Sequence, residues 1–271
     1  MLDLLERYGE DAKILAGGQS LMPALNMRLS GPRVLIDVNG LQELSGIRVD
    51  GETITIGALT HHREVERSEV VARHLPLLHQ ALPHVAHAAI RNRGTFGGSI
   101  VFADPAAELP ACAVALDARF RIASRKGDRT VRAGDFFVGL YETALVPGEV
   151  LVAADFPVIG DGYRSAFHEL ARRHGDYPIV GLAAHAKVSG TALSDLRLAF
   201  FGAGETPILA RNAATALESA PYSAAVLARA QAALEGELSP FGDAACSAAT
   251  RKHLARVLLG RAASQLIGST S

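Results

Sequence analysis

Only two cysteines, Cys112 and Cys246, occur in the 271 residues. No Cys-x-x-Cys pair exists, so the chain has no local thiolate cluster for an iron–sulfur centre or a structural zinc. Each cysteine reads as a lone buried thiol, and if the protein handles electrons, the iron–sulfur part is on another chain. Long apolar runs are missing too: no stretch reaches the roughly eighteen residues of a membrane span. The start, Met1-Leu2-Asp3-Leu4-Leu5-Glu6, lacks the basic and apolar regions of a secretory leader, and the expectation is a cytoplasmic protein. A basic excess is also lacking. The net charge is -1 and the pI about 6.8, which argues against a nucleic-acid groove. Neither a P-loop, Gly-x4-Gly-Lys-Ser/Thr, nor a nucleophile elbow, Gly-x-Ser-x-Gly, is present.

What is there is a globular composition, 49% apolar and 20% charged, with enough length for two ordinary domains. Strands are predicted at 34–38 and 53–56, the latter with Ile54 and Ile56 on one face. A helical stretch follows from Glu64 to Arg91, broken near Pro76 and Pro83, and further strands near 119–123 and 149–156. Turn chemistry over 156–162 marks a domain boundary, giving a first domain over residues 1–158 and a second over 163–268. The second carries strand-like runs at 165–171, 179–188 and 196–201, then Ala- and Leu-rich helices, an α+β order.

Two glycine loops carry the candidate chemistry. Ala16-Gly17-Gly18-Gln19-Ser20-Leu21 reads as a strand end, a Gly-Gly turn and a helix start with Ser20 as N-cap. Paired glycines can take positive φ and turn backbone N–H groups into one concavity, and a helix N-terminus adds its dipole. An empty strand-to-helix turn would look the same. The second loop is Thr95-Phe96-Gly97-Gly98-Ser99. No Lys or Arg lies between Lys13 and Arg28 or between Arg93 and Arg119, so an anion there would rest on amides and hydroxyls. Two such loops suit the two halves of a pyrophosphate. Asp104, before Pro105, reads either as the N-cap of a helix with proline at its first position or as a carboxylate facing ribose or ribityl hydroxyls. A third glycine turn, Gly202-Ala203-Gly204, has Pro207 where a dinucleotide fold needs a small residue, and no strand follows its helix.

These segments resemble the FAD-binding medium subunits of molybdenum hydroxylases of the carbon monoxide dehydrogenase and xanthine dehydrogenase type. The resemblance rests on Ala16–Ser20, on Thr95–Ser99 with Ile90–Gly94 before it and Ala103–Pro110 after it, and on Arg172–Tyr177 and Arg251–Leu258. It implies an α+β protein: a two-lobed FAD-binding domain followed by a small domain of three-stranded antiparallel sheet plus helices. It implies FAD bound through Ala16, Gly17, Gly18, Gln19, Ser20, Leu21, Thr95, Phe96, Gly97, Gly98, Ser99 and Asp104, with Tyr177 against the flavin ring. No residue of this chain is expected to be catalytic or to bind metal. The implied partners are a [2Fe–2S] small subunit and a molybdopterin large subunit, with NAD, a quinone or another acceptor outside. The alternative is a flavin-binding or assembly module without turnover. Relatives usually carry a further strand and half a helix before the position of Leu2, so the first lobe is expected to be the less stable. Phe96 stands in for an aliphatic residue and Phe102 for a polar one.

Ten histidines, notably His61-His62 and His74, His79, His84 and His87, lack metal-ligand spacing and read as solvated or helix-capping. The last helix, with Leu254, Val257, Leu258, Ala262 and Leu266 on one face, carries Arg251, Lys252, Arg256 and Arg261 as a solvated basic face or a partner contact.

Overall fold

Parallel strands must be joined by a crossover, and the chain begins with such a unit. The structure, a computed structural model, describes residues 1–244 and 246–268. After helix α1 (Leu2–Tyr8), strand β1 (Ala12–Leu15) passes through α2 (Leu21–Asn26) to β2 (Val34–Asp37). The two strands pair in parallel from Ala12↔Val34 to Leu15↔Asp37. Neither helix of this lobe fully buries a residue. Its core is Ala12, Ile36 and Val38, closed by Leu59 from the next lobe.

The second lobe starts with β3 (Ile47–Asp50) and β4 (Thr53–Gly57). A helical run follows: α3 (His62–Arg67), α4 (Glu69–His74), α5 (Pro76–Ala81) and α6 (Ala88–Arg91). It breaks at Pro76 and Pro83 as predicted. It also breaks at Ser68, whose hydroxyl accepts the Val71 N–H at 3.3 Å and starts α4. A capping serine inside a periodic run looks like a surface serine in sequence, which is why that break was missed. Next come α7 (Phe96–Phe102), α8 (Glu108–Ala115), β5 (Arg119–Ser124), β6 (Gly127–Arg132), α9 (Ala133–Phe136), β7 (Phe137–Gly139), β8 (Glu142–Thr143) and β9 (Val150–Pro157). Strands β3-β4-β9-β5-β6 form one antiparallel sheet. Ile54 and Ile56 are 0% exposed, as their alternation predicts, and pack in one core with Phe96, Phe120, Phe136 and Phe156.

The remaining chain forms β10 (Tyr163–Leu170), β11 (Val180–Ser189), β12 (Ala192–Phe201) and a two-residue β13 (Ile208–Leu209), all antiparallel neighbours in that order. The three long strands are those expected; β13 is added at the edge. Helices α10 (Arg211–Glu218), α11 (Ala224–Leu234) and α12 (Ala248–Ile267) cover one face, with Leu258, Ala262 and Leu266 in a core shared with Leu198 and Phe200. The opposite face sends Phe167, Ala183, Ala199 and Phe201 into the second lobe's core. Every residue of α8 is buried. Its C-terminal carbonyls are taken by Arg197 of β12, at 2.8 Å to Val114 and 2.9 Å to Ala115, a cation where the helix dipole is negative. Gln80 of α5 binds the outer edge of β10, donating to the Ser165 carbonyl and accepting the Phe167 N–H.

Candidate functional site

Strand β1 delivers the first glycine loop with its carbonyls already engaged. The Leu15 carbonyl accepts the Val38 N–H, and the Ala16 carbonyl accepts Asn39 Nδ2 at 3.1 Å, with Asn39 itself held by Asp37. The N–H groups of Gly17, Gly18, Gln19 and Ser20 meet no acceptor among the described residues. Four donors in a row without a partner are what the expected donor cradle requires. Only Gly18 takes positive φ, +70°. Gly17 is needed for a different reason: a Cβ there would lie 2.1 Å from the Arg93 carbonyl oxygen. This contact brings the two glycine loops together. Ser20 occupies the cap position of α2 but makes no side-chain capping bond, a correction that leaves its hydroxyl, like the amides before it, available to a ligand. Leu21 opens the helix behind them.

The second loop departs from expectation. Its amides are spent within the chain: Phe96 N–H on the Thr60 carbonyl, Gly97 N–H on Ala58, Gly98 N–H on the Thr95 hydroxyl at 3.1 Å, and Ser99 N–H on the Thr95 carbonyl. Neither Gly97 nor Gly98 takes positive φ. Gly97 is small because a Cβ would fall 2.6 Å from that of Ala58, so it locks α7 onto the sheet. Gly98 is exposed and offers bare backbone, and the Ser99 hydroxyl has no partner among the described residues. The second loop thus leaves open bare backbone and one hydroxyl, and the first loop leaves open its amides. Phe96, 0% exposed, meets Phe156 edge-on at 5.9 Å, so its side chain packs the loop onto the core. Behind the loop, His62 Nε2 holds the Thr95 carbonyl at 2.9 Å. His62 is buried rather than solvated, contrary to expectation, and burial lowers its pKa to about 4.

Asp104 is not a helix cap. Its carboxylate accepts the Ala106 N–H at 2.9 Å and its carbonyl the Ala107 N–H at 3.0 Å. The Asp-Pro step thus closes a turn, and α8 begins only at Glu108. Burial raises the Asp104 pKa, against the opposing effect of the Ala106 N–H and the Tyr141 hydroxyl. Tyr177, from the connection between β10 and β11, is 74% exposed. Partial burial of its hydroxyl and the nearby Asp104 and Glu108 carboxylates raise its pKa. Tyr141, which packs on Phe102 at 5.2 Å, is raised by burial, then by Asp104 and Tyr177. Asp104 and Tyr141 of the second lobe and Tyr177 of the β10–β11 connection thus share one neighbourhood. Sequence reading missed Tyr141; its left-handed backbone, φ 58°, has no signature in a non-glycine residue. Glu108 also escaped notice as a titrating group: burial first, then the Glu169 charge, pushes it up to about 7.

Residues 1–159 match the family described as FAD binding domain in molybdopterin dehydrogenase, and residues 165–266 the CO dehydrogenase flavoprotein C-terminal domain. The chain belongs to the FAD-binding medium subunits of the carbon monoxide dehydrogenase and xanthine dehydrogenase type. A 6-hydroxypseudooxynicotine dehydrogenase complex subunit alpha from Paenarthrobacter nicotinovorans is 40% identical, over 96% of this chain and 88% of that one. The carbon monoxide dehydrogenase medium chain of Afipia carboxidovorans is 34% identical, over 96% and 90%. Among solved structures, a carbon monoxide dehydrogenase from Hydrogenophaga pseudoflava superposes with TM-score 0.96 at 35% identity, covering 100% of this chain and 94% of that one. This medium subunit is an oxidoreductase component and its cofactor is FAD. The donors fit that group: free amides at the first loop, glycines that keep backbone bare, and an exposed tyrosine near a buried carboxylate. No helix among the described residues is long and apolar enough to cross a membrane.

Proposed function

We propose that this subunit receives electrons from a [2Fe–2S] subunit, itself served by a molybdopterin subunit that hydroxylates the substrate, and delivers them to NAD, a quinone or another external acceptor. FAD, when bound, supplies the redox chemistry; the chain binds it, orients it and limits access to it. The diphosphate rests on the N–H groups of Gly17, Gly18, Gln19 and Ser20 between Ala16 and Leu21. The second loop, Thr95 to Ser99, closes over it with the bare Gly98 face and the Ser99 hydroxyl, while Phe96 and Gly97 fix the loop to the sheet. Asp104 takes the hydroxyl-bearing part of the cofactor, and Tyr177 lies against its ring system. The division into units 1–158 and 163–268 follows from this assignment, since each side gives one wall. Four consecutive amides without an acceptor among the described residues, at the point where Gly17 meets Arg93, are the observation that carries the reading. Two unpaired cysteines suit a reducing, cytoplasmic setting.

The test is flavin retention. Gly18→Val forces a β-branched residue into positive φ, and Gly17→Ala drives a methyl group into the Arg93 carbonyl. Both, together with Gly97→Val, are expected to purify without yellow cofactor, whereas wild type retains it; wild-type flavin content in the variants would refute the assignment. Reduction of the loaded subunit by NADH or a dye separates electron transfer from a passive assembly role.

A further inference from the structure

Two features singled out in the sequence remain without a purpose in the flavin site: the Gly202-Ala203-Gly204 turn and the basic start of α12. The structure joins them. Arg251, in the first turn of α12, does not belong to a solvated face; its side chain is 14% exposed. Its Nη1 donates to the Ile179 carbonyl and, at 3.4 Å, to the Gly202 carbonyl, and its Nη2 donates to Asp243 at 2.5 Å. Ile179 lies two residues beyond Tyr177, across Pro178. Gly202 in turn donates its N–H to the Pro105 carbonyl at 2.7 Å, next to Asp104. Gly202 has φ +66°, and a Cβ there would lie 2.9 Å from the Ile179 oxygen. The turn is therefore built for close approach to the Tyr177 segment.

We infer that Arg251 is a positioning residue for the flavin site, tying the Tyr177 segment and, through Gly202, the Asp104–Pro105 turn to one guanidinium. The inference rests on the flavin reading above. Its physical basis is the rigid planar fork of arginine, which can hold two carbonyls and a carboxylate at fixed angles; a lysine ammonium is a single compact charge on a flexible stem. The Arg251 Nε is buried without an acceptor among the described residues. A buried donor left unmade is destabilising, so the side chain is poorly suited to serve stability alone and well suited to fix two backbone segments. The consequence is that Asp104 and Tyr177, on opposite sides of the sequence, keep a constant relation to each other.

The experiment uses the full chain and Arg251→Lys. Hydrogen exchange on the flavin-free protein is expected to show faster exchange at both Ala106–Ala107 and Ile179–Gly202 amides, with β4 unchanged. FAD affinity, titrated by fluorescence, is expected to fall about tenfold, with bound-flavin fluorescence rising toward that of Tyr177→Ala. The double variant Arg251→Lys, Tyr177→Ala is expected to be no brighter than Tyr177→Ala alone, since the two act on one contact. Should Arg251→Lys fail to fold, Asp243→Asn, whose amide oxygen still accepts the Cys246 N–H, is expected to act in the same direction to a smaller extent. Exchange confined to α12, or wild-type affinity and fluorescence in the variants, would overturn the inference while leaving the flavin reading intact. Failure of the wild-type chain to bind FAD would overturn both.

Discussion

The two lobes that meet at Gly17 and Arg93 are built to very different standards. The first has a two-stranded parallel sheet and a core of Ala12, Ile36, Val38 and a borrowed Leu59. The second has a five-stranded sheet and a core that runs on into the C-terminal sheet and contains five fully buried phenylalanines, Phe201 of that sheet among them. Yet the small lobe carries the free amides, while the large lobe uses its own loop amides to hold itself together. Donors without a partner in the chain cannot also stabilise the fold, and they sit on the lobe with the smaller core, while the second loop spends its amides on the lobe with the larger one.

The largest effect is expected where that contrast is greatest. Phe156→Ala should cost about 3–5 kcal/mol of global stability by urea titration, whereas hydrogen exchange in wild type should show β1 opening with far less free energy than β4. Equal protection of Ala12–Leu15 and Thr53–Gly57 would erase the distinction between the lobes.

A second test concerns acid. His62 has its pKa lowered to about 4 by burial, so the stability it contributes is present above its ordinary 6.5 and is lost as pH falls toward 4. The loss is about 3 kcal/mol. His185, also buried and lowered to about 4, acts in the same direction. Glu108, pushed up to about 7, acts oppositely, stabilising more as it protonates below 7. The contribution of His62 is therefore read as a difference: His62→Gln should flatten the fall in stability between pH 6.5 and 4 relative to wild type. An identical slope in the two proteins would mean that the histidine behind the second loop is not held neutral.

The smallest effect is expected at the cover. Tyr177→Ala should weaken FAD binding about tenfold, in line with roughly 0.5–1.5 kcal/mol for ring stacking beyond area burial, and raise flavin fluorescence. Unchanged affinity together with unchanged fluorescence would reduce Tyr177 to a residue packed on its own turn.

Much of this was legible in the sequence because it depends on local rules. Alternation at Ile54 and Ile56, proline at Pro76 and the turn chemistry over 156–162 constrain the backbone wherever they occur. The positive φ at Gly18 belongs to the same class. Four motifs in order sufficed for the family. What local rules cannot report is which partner a group finds across the chain. The requirement for Gly17 comes from Arg93, that for Gly97 from Ala58, and that for Gly202 from Ile179 and Pro105. The Asp104–Pro105 pair has the sequence of a helix start, but its turn bonds and the Gly202 N–H on the Pro105 carbonyl hold it as a turn. His62 and Arg251 look like surface residues in a linear reading and become buried only when distant segments close over them. The sequence by itself determined the main strands, the first glycine turn and the cofactor class. The tertiary structure decided which amides stay free and which side chains are buried, because hydrogen-bond satisfaction and desolvation depend on neighbours that are far apart along the chain.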